Sequence, residues 1–170
     1  MTQLRDAKLD FMIAESGIRQ LYGRYADAVW RKDPAAFVDC FAEDAVWKIA
    51  GRTVRGRAEI GGLFEMTLVP SERVMMWVGI PVLDVGKGVA TGRVQVTELI
   101  KRKNGASART LAIYYERYVE EGDVWRFKWH HFNLYSLGPP DLSDSYYENL
   151  EYGPPPGMPG PEDPTTIVRR

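Results

Sequence analysis

The feature that most constrains this chain is a change of hydrophobic period part-way along it. Ile18, Leu21, Tyr22, Tyr25, Ala26 and Val29 recur at i, i+3, i+4, i+7 between the polar Arg19, Arg24, Asp27 and Arg31, which predicts one amphipathic helix over 11–31. Beyond Pro70 the texture becomes long runs rich in Val, Ile, Tyr and Trp, broken at Gly86-Lys87-Gly88, Asn104-Gly105 and Glu121-Gly122-Asp123. These runs predict strands over 73–84, 88–102, 108–120 and 124–135. Between the two regimes, Lys32-Asp33-Pro34 reads as a helix stop followed by an N-cap with proline at the first helical position. It predicts a second helix over 34–40 that ends at Glu43-Asp44. Short strands are expected at 45–49 and 53–56, and a third helix from Gly56 to about Thr67. Helices first and an antiparallel meander afterwards give an α+β domain with helices covering one face of a curved sheet.

Composition narrows the function classes. The 170 residues are 45% hydrophobic with a net charge of −1, enough for one core but without the basic field that nucleic acid selects for. No apolar run approaches a membrane span, and MTQLRDAKLD has no apolar leader region, so a cytoplasmic protein is expected. Cys40 is the sole cysteine, which excludes an internal disulfide and a cysteine-based zinc site. Only Pro34, Pro70 and Pro81 precede residue 138, whereas eight prolines follow it. The chain therefore divides into a packed body, 1–137, and a proline-rich segment, 138–170, expected to act as a lid and arm near a site mouth or on an adjacent subunit.

Three strings, LYGRYADAVWRKDPAAFVDCFAEDAVWKIAG, GRAEIGGLF and YYERYVEEGDVWRFKWH, resemble in order and spacing the SnoaL-like, scytalone dehydratase-like branch of the nuclear transport factor 2-like superfamily. The resemblance covers about 11–135 and implies a cone-shaped α+β fold, NTF2-like, with three helices and a bent sheet enclosing an apolar pocket. It also implies a homodimer or homotrimer formed through the outer face of the sheet. Tyr25 matches a helix-one tyrosine that donates to an oxyanion in ketosteroid isomerase-like sequences. Trp30 stands where many relatives carry an aspartate, Met75 where they carry a histidine, and Lys48-Ile49 where isomerases place their carboxylate base. The family's His-Asp pair is thus absent.

The remaining side chains define the candidate chemistry. Trp30, Trp47, Met75 and Tyr115, with Met76, Trp77 and Phe64, are flat or soft and suit an aromatic ligand. Tyr22 and Tyr25 lie on the apolar stripe of the first helix. Lys48 alternates with Trp47 and Ile49, so it faces outward unless a bulge turns it in, where it would be a cation for a phenolate. Arg93 is a candidate anchor if its parity faces the helices. In the third long strand either Tyr115 and Arg117 or Tyr114, Glu116 and Tyr118 face inward. His130 and His131 are adjacent and point to opposite faces, so they do not chelate one metal. His131 shares the parity of Trp125, Phe127 and Trp129 and is the expected inward histidine and proton shuttle. Asn133 continues that parity as a candidate partner for a substrate hydroxyl.

This inventory points to a cofactor-independent lyase on a phenolic substrate, using Tyr25, Lys48, Arg93 and His131, with Tyr22, Trp30, Trp47, Met75, Tyr115 and Asn133 binding. Water would leave through a quinone-methide intermediate. Formaldehyde would follow if the substrate were a lignin-derived diaryl diol, as the resemblance to diol lyases of that superfamily implies. No cofactor or metal is expected, nor a nucleic acid or membrane partner. A noncatalytic binding module or dioxygenase beta-like subunit is the rival reading, and an isomerase or cyclase would require Glu116 or Glu98 in the pocket.

Overall fold

A computed structural model describes residues 2–139, 145–146 and 157–165; side chains are described from residue 4 on, apart from Ser145 and Tyr146. The helices are α1 (Thr2–Arg31), α2 (Pro34–Asp39) and α3 (Gly56–Thr67). The strands are β1 (Phe41–Ile49), β2 (Arg52–Arg55), β3 (Ser71–Val78), β4 (Val82–Val85), β5 (Val89–Arg102), β6 (Ser107–Glu121), β7 (Val124–Gly138) and β8 (Ser145–Tyr146). The class expected from the sequence, α+β with an NTF2-like arrangement, is the one observed.

Local chemistry sets the boundaries. Lys32, at φ 54°, ends α1 in the left-handed region, and the Asp33 N–H returns to the Ala28 carbonyl at 3.0 Å. The Asp33 carboxylate then accepts from the Ala36 N–H at 2.9 Å, capping α2 behind Pro34. Ala50 and Gly51, both at positive φ, join β1 to β2 in a two-residue turn.

Four boundaries differ from expectation. α1 begins at Thr2 rather than residue 11. α2 stops at Asp39 with Cys40 as its C-cap, and Glu43 and Asp44 belong to a longer β1. The run expected over 73–84 is two strands, β3 and β4, interrupted just before and at Pro81, which has no N–H for a ladder.

The sheet runs β2-β1-β7-β6-β5-β3, with β4 on β5 and β8 on β7. It is mixed rather than wholly antiparallel, because β1 pairs with β7 in parallel. The helices cover one face. Ile18, Leu21, Tyr22, Tyr25 and Val29 of α1 are buried, and Phe37 of α2 stacks on Phe64 of α3 at 4.1 Å. Midway along α1 the helix backbone meets an indole directly. A Cβ on Gly17 would stand 2.4 Å from Trp125 Cδ1, so only glycine admits that packing.

The lid expected over 138–153 lies mostly outside the described residues. Part of the arm, 157–165, lies against the outer face of the sheet. Lys48 Nζ, on a buried side chain of β1, donates to the Pro161 carbonyl at 2.7 Å and to that of Asp163 at 2.5 Å. The Thr165 hydroxyl donates to the Phe132 carbonyl. Asp163 folds back on the Gly160 N–H at 2.8 Å, closing the segment into a turn. Among the described helices, none is long and apolar enough to cross a membrane.

Two outcomes are expected. Gly17→Val should lower unfolding free energy by about 1–3 kcal/mol through overpacking, whereas Gly23→Ala, which meets nothing within 4 Å, should leave it unchanged or raise it; urea denaturation distinguishes them. Lys48→Met removes the donor for two carbonyls, so limited proteolysis should cut within 157–165 faster than in the parent chain while the body stays intact.

Candidate active site

The inner face of the sheet carries an unusual density of polar groups. From α1 come Tyr22 and Tyr25, one turn apart and both buried. From β6 come Tyr114, Glu116 and Tyr118, alternate residues that share a face. From β7 comes His130, opposite Glu116 in register and beside Trp47 of β1. From β5 comes Glu98, opposite Thr110 of β6 and Met76 of β3.

The inward histidine is therefore His130 and not the expected His131. The reason lies in the register of β6 with β7, where Arg117 pairs with Trp129 but Tyr118 pairs with Phe127. Lys128 is the extra residue of a bulge. A one-residue insertion exchanges the two faces of a strand, so Phe127 and His130 face the helices while Trp129 and His131 face away. Strict alternation from Trp125 gives the wrong face from Trp129 to Leu134, until a second register shift at Tyr135 restores it.

His130 and Glu116 are both wholly buried, and His130 Nδ1 stands 2.5 Å from Glu116 Oε1. The oxygen lies off the line of the ring N–H, so the pair touches at ion-pair distance without the alignment of a hydrogen bond. The other carboxylate oxygen, Oε2, accepts from the hydroxyls of Tyr22 and Tyr118, which lie 2.6 Å apart. A carboxylate stripped of water costs several kcal/mol if unpaired; here two hydroxyls and an imidazole take the place of solvent. His130 Nε2 has no hydrogen-bond partner. The ring is enclosed by Tyr114 at 4.3 Å, Phe127 at 4.8 Å, Tyr25 at 5.4 Å and Trp47 at 6.2 Å between centroids.

A second polar chain lies beside the first. The Tyr114 hydroxyl donates to Glu98 Oε1 at 3.3 Å and is hydrogen-bonded to Tyr25. Burial pushes the Glu98 carboxyl up to about 7, against the smaller opposing effect of its bond to Tyr114. Burial likewise holds the phenols of Tyr25, Tyr114 and Tyr118 well above their ordinary range, so all three are donors at neutral pH. Cys40, raised by burial to about 12, is an inert thiol.

Of the catalytic and binding residues expected for the lyase, Tyr22, Tyr25 and Trp47 meet in this interior. The others do not. Lys48 lies on the outer face holding residues 161 and 163, and His131 lies beside it, its imidazole pushed down to about 4 chiefly by burial and then by Lys48. Tyr115 packs edge-on to His131 at 6.3 Å, and Asn133 pairs with Ile113 on the same outer face. Arg93 pairs with Tyr115 there and lines a hollow of about 380 Å³ with Ile80, Val82 and Ile113. Trp30 is 62% exposed, and Met75 pairs with Leu99 on the outer parity while Met76 takes the inner one. From the sequence, His130 is expected on the outer face, Tyr114, Glu116 and Tyr118 are one of two inward alternatives, and Glu98 and Glu116 are tied only to the isomerase or cyclase reading. The alternation 114–116–118 was visible, but which face it took was not.

The inner constellation supplies a base, several neutral acids and oxyanion donors in a dry setting. Among the described residues no group of three or more His, Cys, Asp or Glu side chains is arranged to hold a metal. A cleft of about 520 Å³ opens between residues 7–14 of α1, residues 85–88 and Trp125, one inner-face step beyond Tyr118 and Phe127.

Comparison with known proteins agrees with this fold. Among solved structures, LinA matches with TM-score 0.72 at 20% identity, covering 84% of this chain and 99% of that one. A type 2 LinA, a hexachlorocyclohexane dehydrochlorinase, matches with TM-score 0.70 at 19% identity over 87% and 98%. A candidate scytalone dehydratase from Novosphingobium aromaticivorans matches with TM-score 0.70 at 14% identity over 86% and 96%. No curated protein sequence matches. The SnoaL-like domain model matches residues 12–130, a span running from within α1 to the inward histidine, and the chain belongs to that family.

Proposed function

We propose that this protein is a cofactor-independent lyase that eliminates water from a phenolic or other aromatic small molecule. The observation that carries this reading is the buried Glu116–His130 pair, whose Nε2 has no partner and whose surroundings are tyrosine hydroxyls and aromatic rings. His130 Nε2 takes a proton from carbon, and Glu116 holds the imidazolium that forms. The C–H electron pair becomes the new double bond, the C–O bond breaks, and Tyr25 protonates the departing oxygen. In a low-dielectric interior each of these charge-assisted contacts is stronger than in water. The names of two structural neighbours, a dehydrochlorinase and a candidate dehydratase, are those of elimination enzymes, which supports the same chemistry.

Lys48 and Arg93 lie on the outer face, so a phenolate in the interior would be met by tyrosine hydroxyls instead of a cation. With a diaryl propanediol as substrate, loss of the benzylic hydroxide, protonated by Tyr25, together with loss of the phenolic proton yields a quinone methide. If His130 then takes the proton of the neighbouring hydroxymethyl group, the C–C bond breaks, formaldehyde leaves, and the electron pair restores the ring as a phenolate with a stilbene double bond, which then takes back a proton. A second reading, an isomerase or cyclase, is favoured by the two inward carboxylates, Glu98 and Glu116. It is distinguished by a product of unchanged mass in an isomerisation.

Incubation with a 1,2-bis(4-hydroxyphenyl)propane-1,3-diol should give a product absorbing as a stilbene, with loss of water and release of formaldehyde. His130→Gln should lower kcat by about 10²–10⁴-fold, the range of general base catalysis, with binding retained. No turnover together with no binding would reject the reading; binding without turnover would favour a noncatalytic module.

A further inference from the structure

The interior holds two carboxyl groups where one base suffices, and the second is not in contact with His130. We infer that Glu98 is the proton reservoir for the acid half of the reaction, a positioning residue that acts on the leaving oxygen through Tyr114 and Tyr25. The inference rests on the elimination chemistry proposed above.

Three observations support it. Glu98, Tyr114 and Tyr25 form one hydrogen-bonded chain that crosses from β5 through β6 to α1. The chain ends at Tyr25, whose ring packs against the imidazole of His130 at 5.4 Å between centroids, so the acid terminus and the base are direct neighbours. The groups that face Glu98 are neutral: Tyr114 and Thr110 from β6, Met76 from β3, and Tyr25 from α1 through Tyr114. Burial and the Tyr114 bond are the influences on its carboxyl, and their balance, about 7, leaves a substantial protonated fraction at neutral pH. Glu116 differs in having two hydroxyls and an imidazole to hold its negative charge. Two carboxyls in one interior thus have different surroundings, Glu98 with a single tyrosine partner and Glu116 with two hydroxyls and an imidazole.

The proton balance closes. When Glu98 is protonated its O–H donates to the Tyr114 oxygen, which frees the Tyr114 proton for Tyr25; as the C–O bond breaks, the leaving oxygen takes the Tyr25 proton, Tyr25 takes that of Tyr114, and Tyr114 takes that of the Glu98 carboxyl. The interior is left with His130 as imidazolium and Glu98 as carboxylate. After product release His130 loses one proton to water and Glu98 regains one, so no co-reactant is needed.

Two measurements test the inference separately from the reading it rests on. In substrate-free protein labelled with ¹³C-glutamate, the resonance removed by Glu98→Gln should titrate near neutrality; titration in the ordinary carboxylate range overturns the proposal whatever the protein's activity. With the diol above as substrate, kcat should fall as pH rises through that transition. Glu98→Gln should lower kcat by about 10²-fold, the low end for loss of an acid–base group, and abolish the alkaline limb, with KM little changed. Tyr114→Phe should abolish the same limb and serves if Glu98→Gln folds poorly, while Glu98→Asp should restore part of it. Variants that lose stability but keep the parental pH profile would make Glu98 structural and overturn the inference. Absence of turnover in the parent would reject the elimination chemistry while leaving the titration to be judged on its own.

Discussion

β7 changes face between Phe127 and Trp129 because Lys128 has no partner on β6, and the polar interior depends on that displacement. Without the bulge, His131 would face the helices and His130 would lie outside, where Glu116 is out of reach. With it, an imidazole is set against a carboxylate whose other oxygen already receives two phenols. Bulges commonly re-aim side chains near functional sites, and here the energetic consequence is large. Glu116 and His130 are both fully buried, and either alone would be a costly polar group in an aromatic core. Each makes the other tolerable, and the tyrosines of α1 and β6 complete the shell.

The two faces of the sheet consequently have different tasks. The inner face gathers Tyr22, Tyr25, Tyr114, Tyr118, Glu98, Glu116 and His130 under the helices. The outer face carries Lys48, His131, Trp129 and Tyr115, and part of it is covered by residues 157–165 through the two carbonyls held by Lys48. Lys48, which as a cation in a pocket would have been a reactive group, instead anchors the chain's distal segment. His131 is correspondingly a buried neutral imidazole that stacks on Trp129 at 5.1 Å.

Much of the architecture was legible before the structure. The stripe from Ile18 to Val29, the Asp33-Pro34 cap and the tight turns around Gly88, Gly105 and Gly122 fix elements through local rules, and the elements follow. The site was less legible because facing is a nonlocal property. Alternation correctly grouped Tyr114 with Glu116 and Tyr118, but only the pairing of β6 with β5 and β7 shows which group the helices cover. Lys128 carries no bulge signature of its own, since neither a glycine nor a proline marks it. Trp30 and Met75 were placed by resemblance, and in this chain one is exposed and the other has the outer parity. The carboxylate–imidazole pair that the chain does have, Glu116 and His130, lies on the inner surface instead.

The most direct test of the account is ¹⁵N–¹H NMR of the two histidine side chains in the intact protein. His130 should show a slowly exchanging proton on Nδ1 and an unprotonated Nε2, and Glu116→Gln should shift these signals while leaving those of His131 in place. An imidazole of residue 130 that exchanges rapidly with water and ignores the state of residue 116 would contradict the inward pair and the chemistry built on it.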